Sequence, residues 1–455
     1  MKKYAFTILV LLSLALLSSC KKDKGDDINI EAYEHNINNI SADSGQNLYD
    51  EEGFLIKNDK IYVYTENAEL YDAPTAEGTV QKTVVYGDEL ERKGVNEENG
   101  YCKVLYDGAY LYVKSENITE LVLDTDAEFS YMLSALSIVD TSRQFYTYED
   151  MIEDMLEIKE LNPDYVKLNV IGSSLDQRNI YDIVIGSEEA EHDIVVVGGM
   201  EGCEYMTSLF AAKLAEYYAY YYDDGIHDGY AYSQILGKCR LHIIPMLNPD
   251  GVIISQFNLD YVNLENVKTD IQGWFDRDQV SGGTSFMIET YLLYYYSNAN
   301  GVDIAKNFPY EWESAGSAEN RGRESYKGEA PASEAETTAL IRLLDEVTPD
   351  VVINLRATGN SIMYDYSTND EVVALSKEYA TLVADVMGYD RTDEYYEDNT
   401  YGSLEGYVAN SLDTPVMKIR IGNGQAPLSL NEYNSIWNSG RESLITLAQY
   451  ILTGN

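Results

Sequence analysis

Apolar residues follow two different patterns along the chain. Between Ile61 and Ile118 they form short runs separated by turn residues, whereas from Tyr146 onward longer helical and strand patterns alternate. The first pattern is typical of a small all-β structure, and the second is typical of an α/β domain with a largely buried sheet. We therefore predict a linker and two folded domains, with the domains at residues 59–122 and 146–455 and the linker at 123–145.

The first domain is predicted to contain short strands at residues 61–64, 70–71, 79–85, 89–93, 101–106 and 110–113. Asn99-Gly100 and Asp107-Gly108 lie between consecutive strands, and both dipeptides favour hairpin turns. Because so many short strands fall within one short segment, they indicate a small barrel.

The second domain is predicted to alternate strands with helices. The strands fall at residues 180–185, 194–197, 241–247, 351–355 and 416–421, and the longer helices at 204–222, 333–347, 370–387 and 431–452. Ser333 and Glu336 fit a capping box at the start of the helix at 333–347. Two tyrosine-rich runs, 217–222 and 291–296, are predicted to lie on helix surfaces rather than to form a binding site.

The N-terminus has the pattern of a secretory signal. Lys2 and Lys3 precede an apolar run at 4–17, which is too short for a permanent membrane span. Leu17-Ser18-Ser19-Cys20 resembles the bacterial lipobox, which implies a signal peptide at 1–20 and lipidation of Cys20. The alternative is an ordinary cleaved signal with an incidental cysteine. Residues 21–58 are acidic and aperiodic, and they are predicted to form a flexible tether.

Composition excludes several classes of partner and site. The chain has 77 acidic and 32 basic residues, a net charge of −45, so it lacks the basic face that nucleic-acid binding requires. A well-solvated surface is the plainer reason for this acidity. The cysteines beyond Cys20 form no C-x-x-C motif, so free thiols are expected rather than a cysteine zinc site: Cys102, Cys203 and Cys239.

Histidines are scarce and isolated. None of the four has a glutamate or another histidine three or four residues further on: His35, His192, His227 and His242. Because His242 lies inside a predicted strand, we expect it to have a structural role.

Two segments of the first domain resemble a known family. Asn99-Gly100-Tyr101-Cys102-Lys103-Val104 and residues 108–113 resemble bacterial SH3-like domains. The resemblance implies a barrel that binds cell-wall peptides or docks against a partnering hydrolase, and a structural spacer is the alternative.

Many ordered segments of the second domain resemble the zinc carboxypeptidase family. They lie at residues 146–150, 171–178, 197–204, 248–251, 301–308, 326–337, 354–359 and 418–422. The branch of the family that cleaves peptidoglycan stem peptides is the most similar. This resemblance implies a mixed sheet between helices, with a metal at the carboxyl ends of the central strands.

The chain departs from this family at the positions that carry its chemistry. The resemblance implies a His, Glu and His ligand set, but the corresponding residues here are Glu201, Glu204 and Arg356. Arg420 occupies the position of the general base, and Ala305-Lys306 occupies that of the pair that binds the substrate carboxylate. A guanidinium has no free lone pair for a metal. We therefore expect no bound cofactor, although zinc is the family's metal.

The substituted charges suggest a hypothesis about the site. Glu201 and Glu204 carry two negative charges, and Arg356 and Arg420 carry two positive charges. We expect the two guanidiniums to bridge the two carboxylates through bidentate hydrogen bonds. The alternative is that these side chains point separately to solvent.

Two further positions are candidates for ligand contact. Lys306 could hold a peptide carboxylate or lie as an ordinary surface lysine. Tyr401, with Tyr395 and Tyr396, falls where the family has a substrate-facing loop tyrosine.

These expectations combine into one functional hypothesis with two alternatives. The hypothesis is a surface lipoprotein, on the outer side of the cytoplasmic membrane or in the outer membrane, with an inactive carboxypeptidase-like domain. Its expected partners are a cell-wall peptide or an envelope protein, and the membrane through the lipid. One alternative is an active metallopeptidase in which Glu201 and Glu204 hold a hard cation such as Ca²⁺ or Mg²⁺. The other is a scaffold or regulator of an active relative.

Overall fold

The structure is a computed structural model, and it describes four parts of the chain. These are residues 49–119 without 51, 64, 66, 76–77, 86 and 97–98, then 138–280, 287–392 and 400–454. The predicted signal peptide with Cys20, most of the predicted tether and most of the predicted linker lie outside the described residues. The chain divides between Gly53 and Phe54, so both large sheets belong to one unit. No helix within the described residues is long and apolar enough to cross a membrane.

The N-terminal sheet is antiparallel. Its strands are β1 (Leu55–Val63), β2 (Asn67–Tyr71), β3 (Val80–Val85), β4 (Glu89–Asn96), β5 (Tyr101–Tyr106), β6 (Ala109–Lys114) and β7 (Ile118–Thr119), in the order β3-β2-β6-β5-β4-β1-β7. Asp107 and Gly108 have φ values of 49° and 81°, which is the left-handed pair that the predicted hairpin turn requires. β1 begins at Leu55, so the sheet starts inside the segment that we predicted as tether.

The C-terminal domain is built on a mixed sheet. Its strands are β8 (Val166–Ser173), β9 (Asn179–Ile185), β10 (His192–Val197), β13 (Cys239–Ile244), β14 (Val351–Ala357), β15 (Ser361–Met363), β16 (Asp390–Thr392) and β17 (Val416–Ile421). They follow the order β16-β15-β17-β14-β10-β13-β9-β8, while β11 (Ile226–His227) and β12 (Tyr230–Ala231) form a separate pair. The central strands β13, β10, β14 and β17 are parallel to one another.

Helices cover both faces of the mixed sheet. They are α1 (Tyr148–Leu161), α2 (Met206–Tyr220), α3 (Tyr232–Leu236), α4 (Pro249–Phe257), α5 (Glu265–Val280), α6 (Ile288–Leu293), α7 (Ala335–Val347), α8 (Asp370–Met387), α9 (Leu404–Ser411), α10 (Tyr433–Gly440) and α11 (Ser443–Thr453). Ile194 and Val196 pack into the core beneath α2, α8 and α11, whereas Val195 and Val197 pack into the core beneath α7 and α9. Because both faces of β10 are covered, its residues 194–197 are continuously apolar, as predicted.

Local details of three helices differ from the prediction. α7 begins at Ala335 with Glu334 as its N-cap, and the Ser333 hydroxyl donates to Glu334 rather than to the helix backbone, so the capping-box prediction was wrong. The segment predicted as one helix at 431–452 forms α10 and α11.

The tyrosine-rich runs lie mainly in the core, so the prediction that they cover helix surfaces was also wrong. The side chains of Tyr217, Tyr218, Tyr291 and Tyr295 are all buried. Their hydroxyls reach partners at the edge of the core: Tyr218 donates to the carbonyl oxygen of Arg441, and Tyr217 donates to Glu442. A tyrosine can be buried at little cost when its hydroxyl forms a hydrogen bond in this way.

Cys102, Cys203 and Cys239 are buried free thiols. Cys239 opens β13, which runs parallel to β10, and Cys203 lies in the turn after β10, so these two thiols are at opposite ends of the sheet.

His242 lies between two carboxylates in the middle of β13. Its Nδ1 hydrogen-bonds Asp182 at 3.0 Å, and its Nε2 lies 3.3 Å from Asp193, which also forms a bidentate ion pair with Arg240. Burial alone would lower the pKa of His242, but the two aspartates raise it to about 9. This arrangement agrees with the structural role that we expected for His242.

His242 makes the stability of the domain depend on pH. Because the folded-state pKa is about 9 and the ordinary value is 6.5, the stabilisation is complete below pH 6.5 and is lost as the pH rises through 9. We expect the free energy of unfolding to fall by about 3 kcal/mol across this range. Urea unfolding at several pH values measures this slope. The slope should become shallower in His242→Gln and keep its wild-type value in His192→Gln, whose side chain is partly exposed.

Candidate functional site

The candidate site lies where β10 and β14 end, and a tight turn places its acidic residues. β10 ends at Val197, and the following segment leads into a single 3₁₀ turn at Gly202–Glu204 with Glu201 at its N-cap. A Cβ on Gly202 would lie 2.4 Å from the carbonyl oxygen of Gly251, so only glycine allows this close approach. The packed turn therefore fixes Glu201 and Glu204 beside the sheet.

Arg356 joins both glutamates. Its Nε donates to Glu204 at 2.6 Å, one terminal nitrogen lies 3.4 Å from the other Glu204 oxygen, and the same nitrogen forms an ion pair with Glu201. The Arg356 side chain is 15% exposed, and those of Glu201 and Glu204 are 7% and 6% exposed. The three side chains thus form the largely buried bridge that we hypothesised.

Arg420 does not take part in this bridge. Although it lies beside Arg356 in the register of β14 and β17, it forms no ion pair with any residue that the structure describes, and it is half-buried. The hypothesis that both guanidiniums bridge the glutamates was therefore wrong for Arg420, because one arginine already occupies the facing oxygens of both acids.

Burial and neighbouring charges shift the pKa values of the bridge. Burial raises the pKa of Glu201 well above its usual value; Arg356 opposes this rise and Glu204 adds to it. Burial acts to lower the pKa of Arg356, but Glu201 and Glu204 raise it well above its ordinary value. Arg356 therefore stays charged, and Glu201 is the carboxylate of the bridge that takes up a proton more readily than an ordinary glutamate.

A second ion pair lies next to the bridge and was missed by sequence reasoning. Lys418 lies 3.3 Å from Glu405 and over the ring of Tyr366, and Glu405 also accepts a hydrogen bond from Asn354 at 2.8 Å. The available signal was Lys418 itself, a charged residue between apolar residues of a largely buried strand, since a charge there requires a partner. Burial raises the pKa of Tyr366, an effect that Glu405 reinforces and Arg356 and Arg420 oppose, so this tyrosine belongs to the same cluster.

Lys306, Ala305 and Tyr401 lie on one side of the site. Lys306 closes a 3₁₀ turn and forms no ion pair among the described residues, while Ala305 packs against the apolar core under α7. Tyr401 lies 6.2 Å from the ring of Tyr310, and a Cβ on Gly402 would approach the carbonyl oxygen of Lys306 to 2.7 Å. The structure therefore brings Lys306 and Tyr401 near each other. Tyr395 and Tyr396 lie outside the described residues.

Comparison with known proteins identifies the class of this fold. A family model described as zinc carboxypeptidase matches residues 151–416, which is more than half of the chain. The chain therefore belongs to the zinc carboxypeptidase family, as the resemblance implied.

Individual relatives are distant. Gamma-D-glutamyl-L-diamino acid endopeptidase 1 of Lysinibacillus sphaericus is 23% identical over 298 residues, covering 65% of this chain and 70% of that protein. Carboxypeptidase B of Rattus norvegicus is 24% identical over 230 residues, covering 50% of this chain and 48% of that protein. The crystal structure of thrombin activatable fibrinolysis inhibitor aligns with a TM-score of 0.53 and 15% identity, covering 70% of this chain and 80% of that one, which shows a shared fold.

Family membership corrects one expectation. The family is a zinc family, so the comparisons point to zinc as the cofactor and contradict our expectation of none. The described residues, as arranged here, do not fit that ion. Glu201 and Glu204 could each offer oxygen ligands, but Arg356 lies on both, and no group of three His, Cys, Asp or Glu side chains suited to a metal occurs in the described part of the chain.

The bridge predicts a large effect of removing its cation. Arg356→Met leaves two buried carboxylates without a counter-ion, so we expect the free energy of unfolding at pH 8 to fall by about 3 kcal/mol. The loss should be smaller at pH 5, because protonation removes the uncompensated charge. Chemical denaturation at both pH values measures this. The matched control is Arg342→Met, an exposed arginine on α7, which should change stability by less than about 0.5 kcal/mol. Equal effects of the two substitutions would contradict a buried bridge.

Proposed function

We propose that this chain is a lipid-anchored cell-envelope protein whose carboxypeptidase-like domain binds cell-wall peptides without cutting them. The observation that supports it is the ion pairing of Arg356 with both Glu201 and Glu204. On this proposal Cys20 carries the lipid, and the antiparallel N-terminal sheet is an SH3-like domain that adds a second contact to the wall.

The charges of the site favour binding over hydrolysis. Two carboxylates that are bound to a guanidinium are poorly placed to activate water, because the positive charge of Arg356 lowers their basicity and occupies oxygens of both. The position assigned to the general base is Arg420, and an arginine at neutral pH has no capacity to accept a proton. Binding requires neither function, and Lys306 keeps a positive charge for the carboxylate of a peptide.

The similarity to a γ-D-glutamyl peptidase suggests the kind of peptide. A ligand of that class joins glutamate to a diamino acid through the side-chain carboxyl, and it ends in a free carboxylate. Two weak sites on one chain, one in each folded domain, would reinforce each other through effective concentration.

An active metallopeptidase is the second candidate, and the family match favours it. It would require Arg356 to leave the two glutamates so that their oxygens become available to a cation. Peptide hydrolysis separates the two candidates.

The test uses the purified full chain and the tripeptide L-Ala-γ-D-Glu-L-Lys in buffer that contains zinc. We expect calorimetry to detect binding and mass spectrometry to recover the peptide intact. Lys306→Gln should weaken binding about tenfold, since it removes one charge-assisted contact. Lys268→Gln, on the surface of α5, is the matched control and should leave the affinity unchanged. Release of free lysine by the wild-type chain would favour the metallopeptidase, and absence of binding would remove the proposal.

A further inference from the structure

Arg420 is a half-buried cation for which the described part of the site provides no acid. The neighbouring carboxylates are already used: Arg356 holds Glu201 and Glu204, and Lys418 and Asn354 hold Glu405. Asp303 accepts from the backbone N–H groups of Ala305 and Ser325.

The position of Arg420 favours the binding of an anionic group of a ligand. Arg356 and Arg420 are register partners on adjacent parallel strands, so their side chains leave the sheet on the same face. The charge of Arg356 is compensated by two glutamates, whereas Arg420 is half-buried and no carboxylate among the described residues pairs with it. A partly desolvated guanidinium gains most from a carboxylate that it can hold with two parallel hydrogen bonds.

Two small residues neighbour Arg420 on one side. A Cβ on Gly359 would lie 3.4 Å from the Nε of Arg420, and Ser361 is the residue that pairs with Arg420 across β15. Both neighbours are small, so neither of their side chains covers the guanidinium. Beneath the cluster, the buried hydroxyl of Tyr366 has no hydrogen-bond partner, and it is a further polar group that a ligand-induced shift could satisfy.

We propose that Arg420 binds a second carboxylate of the ligand, the α-carboxylate of a γ-linked glutamate, while Lys306 binds the C-terminal carboxylate. This inference rests on the proposed function and specifies its ligand as a dianionic peptide. A γ-glutamyl linkage consumes the side-chain carboxyl of glutamate and leaves its α-carboxylate free, so such a peptide carries a charge one residue before its end. An α-linked peptide with neutral side chains has no charge at this place.

The experiment compares three tripeptides that differ only in amidation. They are L-Ala-γ-D-Glu-L-Lys, the same peptide with the glutamate α-carboxyl amidated, and the same peptide with the C-terminus amidated. We expect the full wild-type chain to bind the unmodified peptide about tenfold more tightly than the α-amide, the effect of one charge-assisted contact. Arg420→Gln should reduce this ratio to about one and retain the preference for a free C-terminus. Lys306→Gln should do the reverse.

A control variant and a test of folding make the results interpretable. Arg342→Gln is the control for loss of an arginine remote from the site, and thermal melting verifies that each variant is folded. If the wild-type chain binds with a Lys306-dependent preference for a free C-terminus but does not distinguish the α-carboxylate from its amide, the role of Arg420 is refuted and the proposed function stands. If none of the peptides binds, both fail. A ratio that survives Arg420→Gln in a folded variant also refutes the inference.

Discussion

The guanidinium of Arg356 between Glu201 and Glu204 is the interaction on which the site depends. It joins the end of β14 to the turn that follows β10, and it compensates two carboxylates that are almost removed from water. Removing the arginine alone, or the glutamates alone, leaves an uncompensated buried charge. The cluster is therefore stable only when all three side chains are present. The same pairing engages both glutamates, while Arg420 and Lys306 form no ion pair with any residue in the described ranges.

The core of the mixed sheet extends to the edge of the site. The central strands are buried on both faces, and Met200 and Cys203 extend this packing into the segment that carries Glu201 and Glu204. A second charged cluster, around His242, lies within the sheet, and its contribution to stability depends on pH because the pKa of His242 is raised. The bridge itself adds to the stability of this scaffold, so the site and the fold share residues.

Sequence reasoning located the site because its residues follow motifs whose order is tied to the fold. It therefore anticipated that Glu201, Glu204 and Arg356 would meet. It wrongly included Arg420 in the bridge, since Arg356 and Arg420 lie on the same sheet face and only side-chain packing distinguishes them. The Glu405–Lys418 pair was missed because α9 and β17 meet only in the folded chain. The burial of the tyrosines was not predicted, because sequence alone does not show that the carbonyl oxygen of Arg441 and the side chain of Glu442 accept hydrogen bonds from their hydroxyls.

A crystal structure of the chain grown in the presence of zinc tests the central claim most directly. The account predicts continuous density for the Arg356 side chain, with its nitrogens within hydrogen-bonding distance of both Glu201 and Glu204. A metal ion held between the two carboxylates, with Arg356 turned away from them, would contradict it.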